Sequence, residues 1–247
     1  MTTASGQQLD AALAELGWLE MLDEMPDAAV PLVFRLLGET GAHAPVLNDV
    51  VLRAAGREGG GTVPLPFAGG SWVVWERTDQ PSSALGDDLP IHRVAQGDPV
   101  PVAAGRHALG WWLVGAGRAM LSLARQHALD RSQFGRPVAS FQAIRHRLAE
   151  TLVGIEGAEG TLVAAAAEPD DLSFLLAKAA AGQAALTAAR HCQQVLGGIG
   201  FTAEHALHRH VKRALVLDAM LGSSRELTRE AGKTLRARGF APRLAQL

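Results

Sequence analysis

The chain has 247 residues, 48% of them hydrophobic and 19% charged, with a formal net charge of −2. That length can bury a substantial core in one large domain or two or three small ones, and the charge balance offers no strongly basic face for nucleic acid. The longest apolar runs are broken by Arg, Gln or Gly well short of the ~18 residues of a membrane span. MTTASGQQLD has neither a basic n-region nor an apolar h-region, so no secretory signal is expected, and a single cysteine, Cys192, excludes an internal disulfide and fits a reducing cytoplasm.

Leu9, Leu13, Leu16, Leu19 and Leu22 recur at helical spacing and predict an amphipathic helix over 8–24. Further helices are expected at about 28–40 and 45–55. Gly56-Arg57-Glu58-Gly59-Gly60-Gly61 then reads as a flexible connector. Between 62 and 105, Pro, Gly and Asp punctuate short strand-type runs at 71–76 and 91–94. Beyond that the chain is helical again, with helices predicted at about 106–131, 138–167, 170–196 and 203–217 and a last one starting at Ser223/Ser224. Glu168-Pro169-Asp170-Asp171 supplies a break, Gly197-Gly198 a C-terminal cap, and Ser223 with Glu226 has capping-box spacing. Long helices with few turns pack as an antiparallel bundle. The expected organisation is an N-terminal helical domain (1–61), a short β segment (62–105) and a helical bundle domain (106–247), mainly α overall.

Three motifs bear on chemistry. Arg131-Ser132-Gln133-Phe134-Gly135-Arg136-Pro137 is ordinary helix-to-helix punctuation, but an arginine's fork of donors also suits phosphate oxygens. The glycines of Gln194-Val195-Leu196-Gly197-Gly198-Ile199-Gly200 either stop a helix or let a phosphate-bearing cofactor reach backbone N–H groups. No strand precedes them, so this is not a Rossmann fingerprint. Met220-Leu221-Gly222-Ser223-Ser224-Arg225 opens a helix whose hydroxyls suit a cap or a phosphate.

Together with Phe141-Gln142, these motifs resemble the C-terminal domain of flavin-dependent acyl-CoA dehydrogenases. The resemblance is strong over about 107–240, weaker over 9–56 and fails over most of 57–105. It implies an acyl-CoA dehydrogenase-like fold with N-terminal helices, a reduced β segment and a C-terminal antiparallel bundle of four or five helices. It also implies that Arg131, Phe134, Phe141, Gln142, Gln194, Val195, Leu196, Gly197 and Gly198 reach across an interface to a neighbour's FAD. Ser223, Ser224 and Arg225 match further cofactor-holding positions, with Arg225 replacing the family's Gln. The family's turn usually begins Tyr-Glu-Gly-Thr, its Glu being the catalytic base; here that position is Leu221, so no catalytic residue is carried over. Some relatives place the base near Gly105 instead, yet there is no Asp or Glu from Pro99 to Leu129. Arg106 matches a family arginine near the acyl-CoA, and reads equally well as a helix-starting arginine on a solvated face.

The family's flavin-covering β-domain is not found between 62 and 105. Trp72 with Trp75, and Trp111 with Trp112, read as core packing. His205, His208, His210, Lys212 and Arg213 read as a solvated basic face, and Glu204 with His208 lacks a third ligand, so no metal is expected. Cys192 reads as a small core residue. The resemblance then implies a subunit without its own base that completes the FAD site of a catalytic partner in an α2β2 assembly acting on acyl-CoA, steroid side-chain esters among the possible substrates. Two alternatives stay open: a flavin-free acyl-CoA-binding or structural protein, and an isomerase or dehydratase using Glu226, Asp218 or a histidine.

Overall fold

The computed structural model describes residues 6–76 and 89–240. Part of the expected β segment, at 77–88, and the two termini lie outside them. The helix expected over 8–24 is two helices, α1 (Gln7–Glu15) and α2 (Trp18–Glu24). Gly17 between them adopts a left-handed conformation (φ 75°), so the chain turns and drives Trp18 and Leu22 into the core while α1 buries no residue fully. α3 (Pro26–Thr40) starts on Pro26, whose fixed φ suits a first helical position, and α4 (Val46–Ala54) is buried along almost its whole length.

The β segment forms one antiparallel sheet, β1 (Pro64–Phe67), β2 (Ser71–Trp75) and β3 (Ile91–Val94), with Leu65 opposite Val73 and Trp75 opposite Ile91. Five helices follow: α5 (Ala103–Asp130), α6 (Gln142–Ala167), α7 (Asp171–Leu196), α8 (Leu207–Ala219) and α9 (Ser224–Arg238). A two-stranded hairpin, β4 (Ser132–Gln133) and β5 (Arg136–Pro137), joins α5 to α6. α8 starts later than expected because 197–201 form a 3-10 turn, and just ahead of the helix His205 Nδ1 accepts the Leu207 N–H at 3.1 Å. Both predicted helix starts carry capping boxes, Asp170 with Ser173 and Ser223 with Glu226.

α5 is the axis of the molecule, packing on α3, α4, α6, α7 and α8. One continuous cluster of buried side chains runs from Trp18 to Leu221. At its centre Trp112 of α5 meets Phe34 of α3 and Trp75 of β2, with ring centroids 5.6 and 5.2 Å apart. Of the two tryptophans of the β segment, Trp75 is therefore a core residue, as expected, whereas Trp72 is only half-buried and lies outside that cluster. By length and composition alone α7 with the turn after it, Asp171–Phe201, could cross a membrane, but its apolar face is buried inside the bundle.

α3 and α5 cross with their backbones touching. A Cβ on Gly115 would land on the Arg35 carbonyl, and one on Gly38 would lie 2.5 Å from the Ala116 amide nitrogen. Neither backbone can give way locally, so Gly115→Ala is expected to cost about 2 kcal/mol or more in urea denaturation. Gly157→Ala on α6, where nothing lies within 4 Å of the added methyl, should instead gain about 0.5–1 kcal/mol from helix propensity.

Candidate functional site

The helix directions decide which motifs meet. His107 near the start of α5 touches both the Leu162 carbonyl near the end of α6 and the Phe174 ring near the start of α7. α5 and α6 are thus antiparallel and α5 and α7 parallel, which brings the hairpin after α5 and the glycine turn after α7 to one end of the bundle. His127 and His205, ring centroids 6.3 Å apart, mark that end. The turn at 220–225 lies at the other end, beside Gly105. Gly105 and Arg131 are 26 residues apart on α5, roughly 40 Å at the helical rise. No single extended dinucleotide reaches both, so the cofactor positions inferred together from sequence fall into two separate clusters.

The 220–225 turn is closed. Leu221 is 1% exposed and holds a left-handed backbone (φ 55°). Its N–H donates to the Pro66 carbonyl at 2.8 Å, Phe67 forms a β-bridge to Met220, and Arg106 Nε donates to the Leu221 carbonyl at 3.1 Å. A Cβ on Gly105 would lie 2.7 Å from Leu221 Cδ1 and 2.9 Å from Val51 Cγ2. The two positions from which relatives supply a base therefore adjoin, both apolar, both sealed into the core. The nearby acids are committed as well. Asp218 Oδ1 accepts the Ser224 N–H at 3.0 Å, and Glu226 accepts from Ser223 N–H, Ser223 Oγ and the Gly69 N–H at 2.7–2.9 Å. Those hydrogen bonds, led by Gly69 and Ser223, hold the Glu226 carboxyl below its usual range. Ser223 thus spends both its N–H and its hydroxyl, and Ser224 its N–H, inside the chain, while Arg225 is exposed.

Sequence reading missed Lys178. It is fully buried on α7, and its Nζ donates to the carbonyls of Asp218 and Gly222, 2.5 Å each, pinning the last turn of α8 and the turn beyond it. Burial pulls its ammonium down to about 7, with the Asp218 carboxylate opposing and Arg106 adding to the shift. The available signal was that Lys178 is the one charged residue between Leu172 and Ala189.

The opposite end is open. Arg131 ends α5 and is exposed, as are Gln142 and Gln194. Phe134 (φ 54°) and Gly135 (φ 75°) make the positive-φ pair of a type I′ turn. A phenylalanine there costs roughly 1 kcal/mol of backbone strain, and its ring is 92% exposed, which a chain acting alone gains nothing from. Phe141 stands 6.2 Å from it, with the Arg136 guanidinium 4.3 Å over the Phe141 ring. Gly197 (φ 67°) and Gly198 have empty space where a Cβ would be. Val195 and Leu196 turn their side chains inward, leaving their backbone as the only part that can meet a ligand. An exposed guanidinium, aromatic faces and open glycine backbone together fit a nucleotide cofactor such as FAD. Among the described residues no group of three metal-ligating side chains occurs. Cys192 is buried, and burial pushes its thiol up to about 12.

The family profile described as acyl-CoA dehydrogenase, C-terminal domain, matches residues 101–235. The acyl-CoA dehydrogenase IpdE2 of Mycobacterium tuberculosis is 40% identical over 116 residues, 47% of this chain and 36% of that protein. Acyl-CoA dehydrogenase FadE34 of the same organism is 34% identical over 199 residues, 72% of this chain. That alignment spans only 28% of FadE34, so this chain matches well under half the length of either relative. Among solved structures, a variant of the Tcur3481-Tcur3483 steroid ACAD aligns with TM-score 0.73 at 21% identity, over 95% of this chain and 90% of that one. The ChsE4-ChsE5 complex from M. tuberculosis aligns with TM-score 0.71 at 21% identity, over 98% and 91%. Fold, motif positions and the family match agree: this chain belongs to the acyl-CoA dehydrogenase family.

Proposed function

We propose that this chain is a non-catalytic, cytoplasmic subunit of a flavin-dependent acyl-CoA dehydrogenase, and that it completes the FAD site of a partner subunit that carries the base. The observation that carries this reading is the contrast between its two ends. At one, Leu221 and Gly105 close the place where a base would meet a substrate α-carbon; at the other, Arg131, Phe134, Phe141, Gln142, Gln194 and the Gly197-Gly198 backbone stand open. Desaturation of an acyl-CoA needs a proton acceptor on one face of the α,β-carbons and an electron acceptor on the other. When bound, FAD supplies the electron acceptor. In this reading Arg131 would hold pyrophosphate oxygens, the two phenylalanines would pack on the nucleotide, and the bare Gly197-Gly198 backbone would let its phosphates approach closely, the Gly197 N–H itself being taken by the Gln193 and Gln194 carbonyls. The similar solved proteins named as pairs, one of them a steroid ACAD, support an α2β2 assembly on a bulky acyl-CoA ester. The committed carboxylates of Asp218 and Glu226 disfavour an isomerase or dehydratase. The open end disfavours a flavin-free structural protein.

The test is flavin absorbance on the chain purified alone and after co-expression with an acyl-CoA dehydrogenase homologue encoded beside it. The chain alone should be colourless and the complex yellow and active. Stoichiometric FAD or turnover in the isolated chain would overturn the proposal. Arg131→Ala is expected to weaken FAD retention by the complex at least tenfold, read by flavin released on dilution, without changing the melting temperature of the isolated chain.

A further inference from the structure

A half-open cavity of about 240 Å³ lies among the N-terminal helices, away from both ends of the bundle, bounded by α1, α2, the start of α4 and Gly60. Leu13, Leu19, Pro45 and Val46 give it apolar walls. Its ionisable groups are all acids: Asp10, Glu20 and Asp49, with no Lys, Arg or His of the described residues lining it. Glu20 is exposed at the mouth, whereas Asp49 is only 7% exposed and forms the floor.

Asp49 sets the chemistry. Its carboxylate is aimed by two donors, Trp18 Nε1 to Oδ2 at 2.9 Å and the Gly60 N–H to Oδ1 at 2.7 Å. A carboxylate offers about four acceptor positions, so these bonds leave half of them unfilled. No described cation forms an ion pair with it. Arg53, whose charge does reach it, is bound to Asp23 at 2.7 Å. Burial outweighs both hydrogen bonds and Arg53, and holds the Asp49 carboxyl above its ordinary 3.8. A buried carboxylate without a counter-ion is costly, and the cavity is the open side from which a cation can approach it.

The lining selects the ligand. Among the described residues no three acids are grouped so as to hold a metal ion, so the carboxylates do not close on one small inorganic cation. An anion would meet only like charge. What fits is a positive head for Asp49 on an apolar body for the leucine and valine walls, the usual balance of a small-molecule site. The volume equals about eight liquid waters, room for a chain of roughly five carbons. We infer that this cavity binds a small aliphatic ammonium ion, its charge between Asp49 and Glu20 and its carbon chain along Leu13, Leu19 and Val46. Leu47 and Val51, each two residues from Asp49 and so on the far side of α4, pack at Gly105. The thickness of α4 thus separates this site from the closed 220–225 turn.

The experiment is isothermal titration calorimetry of the full chain with n-pentylamine at pH 7.5, against 1-pentanol and pentanoate. Pentylamine should bind with a Kd on the order of 1 mM or tighter, and the neutral and anionic analogues at least tenfold more weakly. Glu20→Gln, which removes an exposed charge, should weaken pentylamine at least threefold. Leu13→Trp, on a helix that buries no residue fully, should fill the cavity and abolish binding without lowering the melting temperature. Equal binding of all three probes, no heat from pentylamine up to about ten times that Kd, or undiminished binding to Leu13→Trp would each overturn the assignment. None of these results bears on the flavin content of the complex, so the proposed function stands or falls separately.

Discussion

Leu221→Glu is expected to lower the stability of this chain by about 4 kcal/mol or more and to confer no dehydrogenase activity. The substitution restores the family's base in name only. Leu221 is walled by Gly105, Val51, Leu47 and Pro66, and its backbone is already bound on both sides, by Pro66 and Arg106. A carboxylate placed there leaves water for an apolar site. Of the nearest cations, Lys178 already donates to Asp218 and Gly222 and Arg106 to Leu221 itself. An unpaired buried carboxylate costs several kcal/mol, or stays protonated and then cannot act as a base. Leu221→Met, nearly equal in volume, should cost less than about 1.5 kcal/mol and leave the turnover of the complex within twofold. Urea denaturation and a dye-linked acyl-CoA assay decide it. A Leu221→Glu chain as stable as wild type and active alone would show that the pocket opens in solution.

Lys178→Met should cost roughly 2 kcal/mol near pH 7 and flatten the pH dependence of stability between pH 7 and 9. The first effect follows from two carbonyls, of Asp218 and Gly222, losing their donor inside the core, partly offset by removal of a buried charge. The second follows from linkage. The ordinary lysine value is 10.5 and burial lowers it to about 7, so above pH 7 the unfolded chain binds more protons than the folded one. Stability then rises with pH, by up to roughly 1.4 kcal/mol per unit from this group. Above pH 9 Cys192, raised from 9.0 to about 12, pulls the other way, so the window ends there. Melting curves at half-unit steps in pH suffice. An unchanged slope in the variant would mean that another group titrates.

Much of the fold is legible in the sequence because its helices are long and periodic. α5, α6, α7 and α9 fall where apolar spacing, Pro, Gly and capping residues put them. The break in 8–24 is not, because Leu16 continues the apolar period straight across Gly17, and only the left-handed φ at that glycine shows that the chain turns. The site divides in the same way. Its motifs are visible one by one, but their arrangement depends on helix direction, which linear spacing does not carry. Ser223–Arg225 and Arg131 therefore read as one cofactor set, and the fold sends them to opposite ends of α5. Lys178 was lost for a different reason: a lone lysine in an alanine-rich helix has the same pattern whether it faces water or two carbonyls.

The continuous core from Trp18 to Leu221 also limits how this chain can be divided. The family match begins at residue 101, which invites expression of the bundle alone. Such a fragment would strip Phe34 and Trp75 from Trp112, lift α3 off the bare backbone at Gly115, and take the Pro66 carbonyl from Leu221. What remained would display a broad apolar wound along half of α5 and aggregate rather than fold. For this protein the boundary drawn by homology is not a boundary of cooperativity, and truncation series should begin upstream of α2.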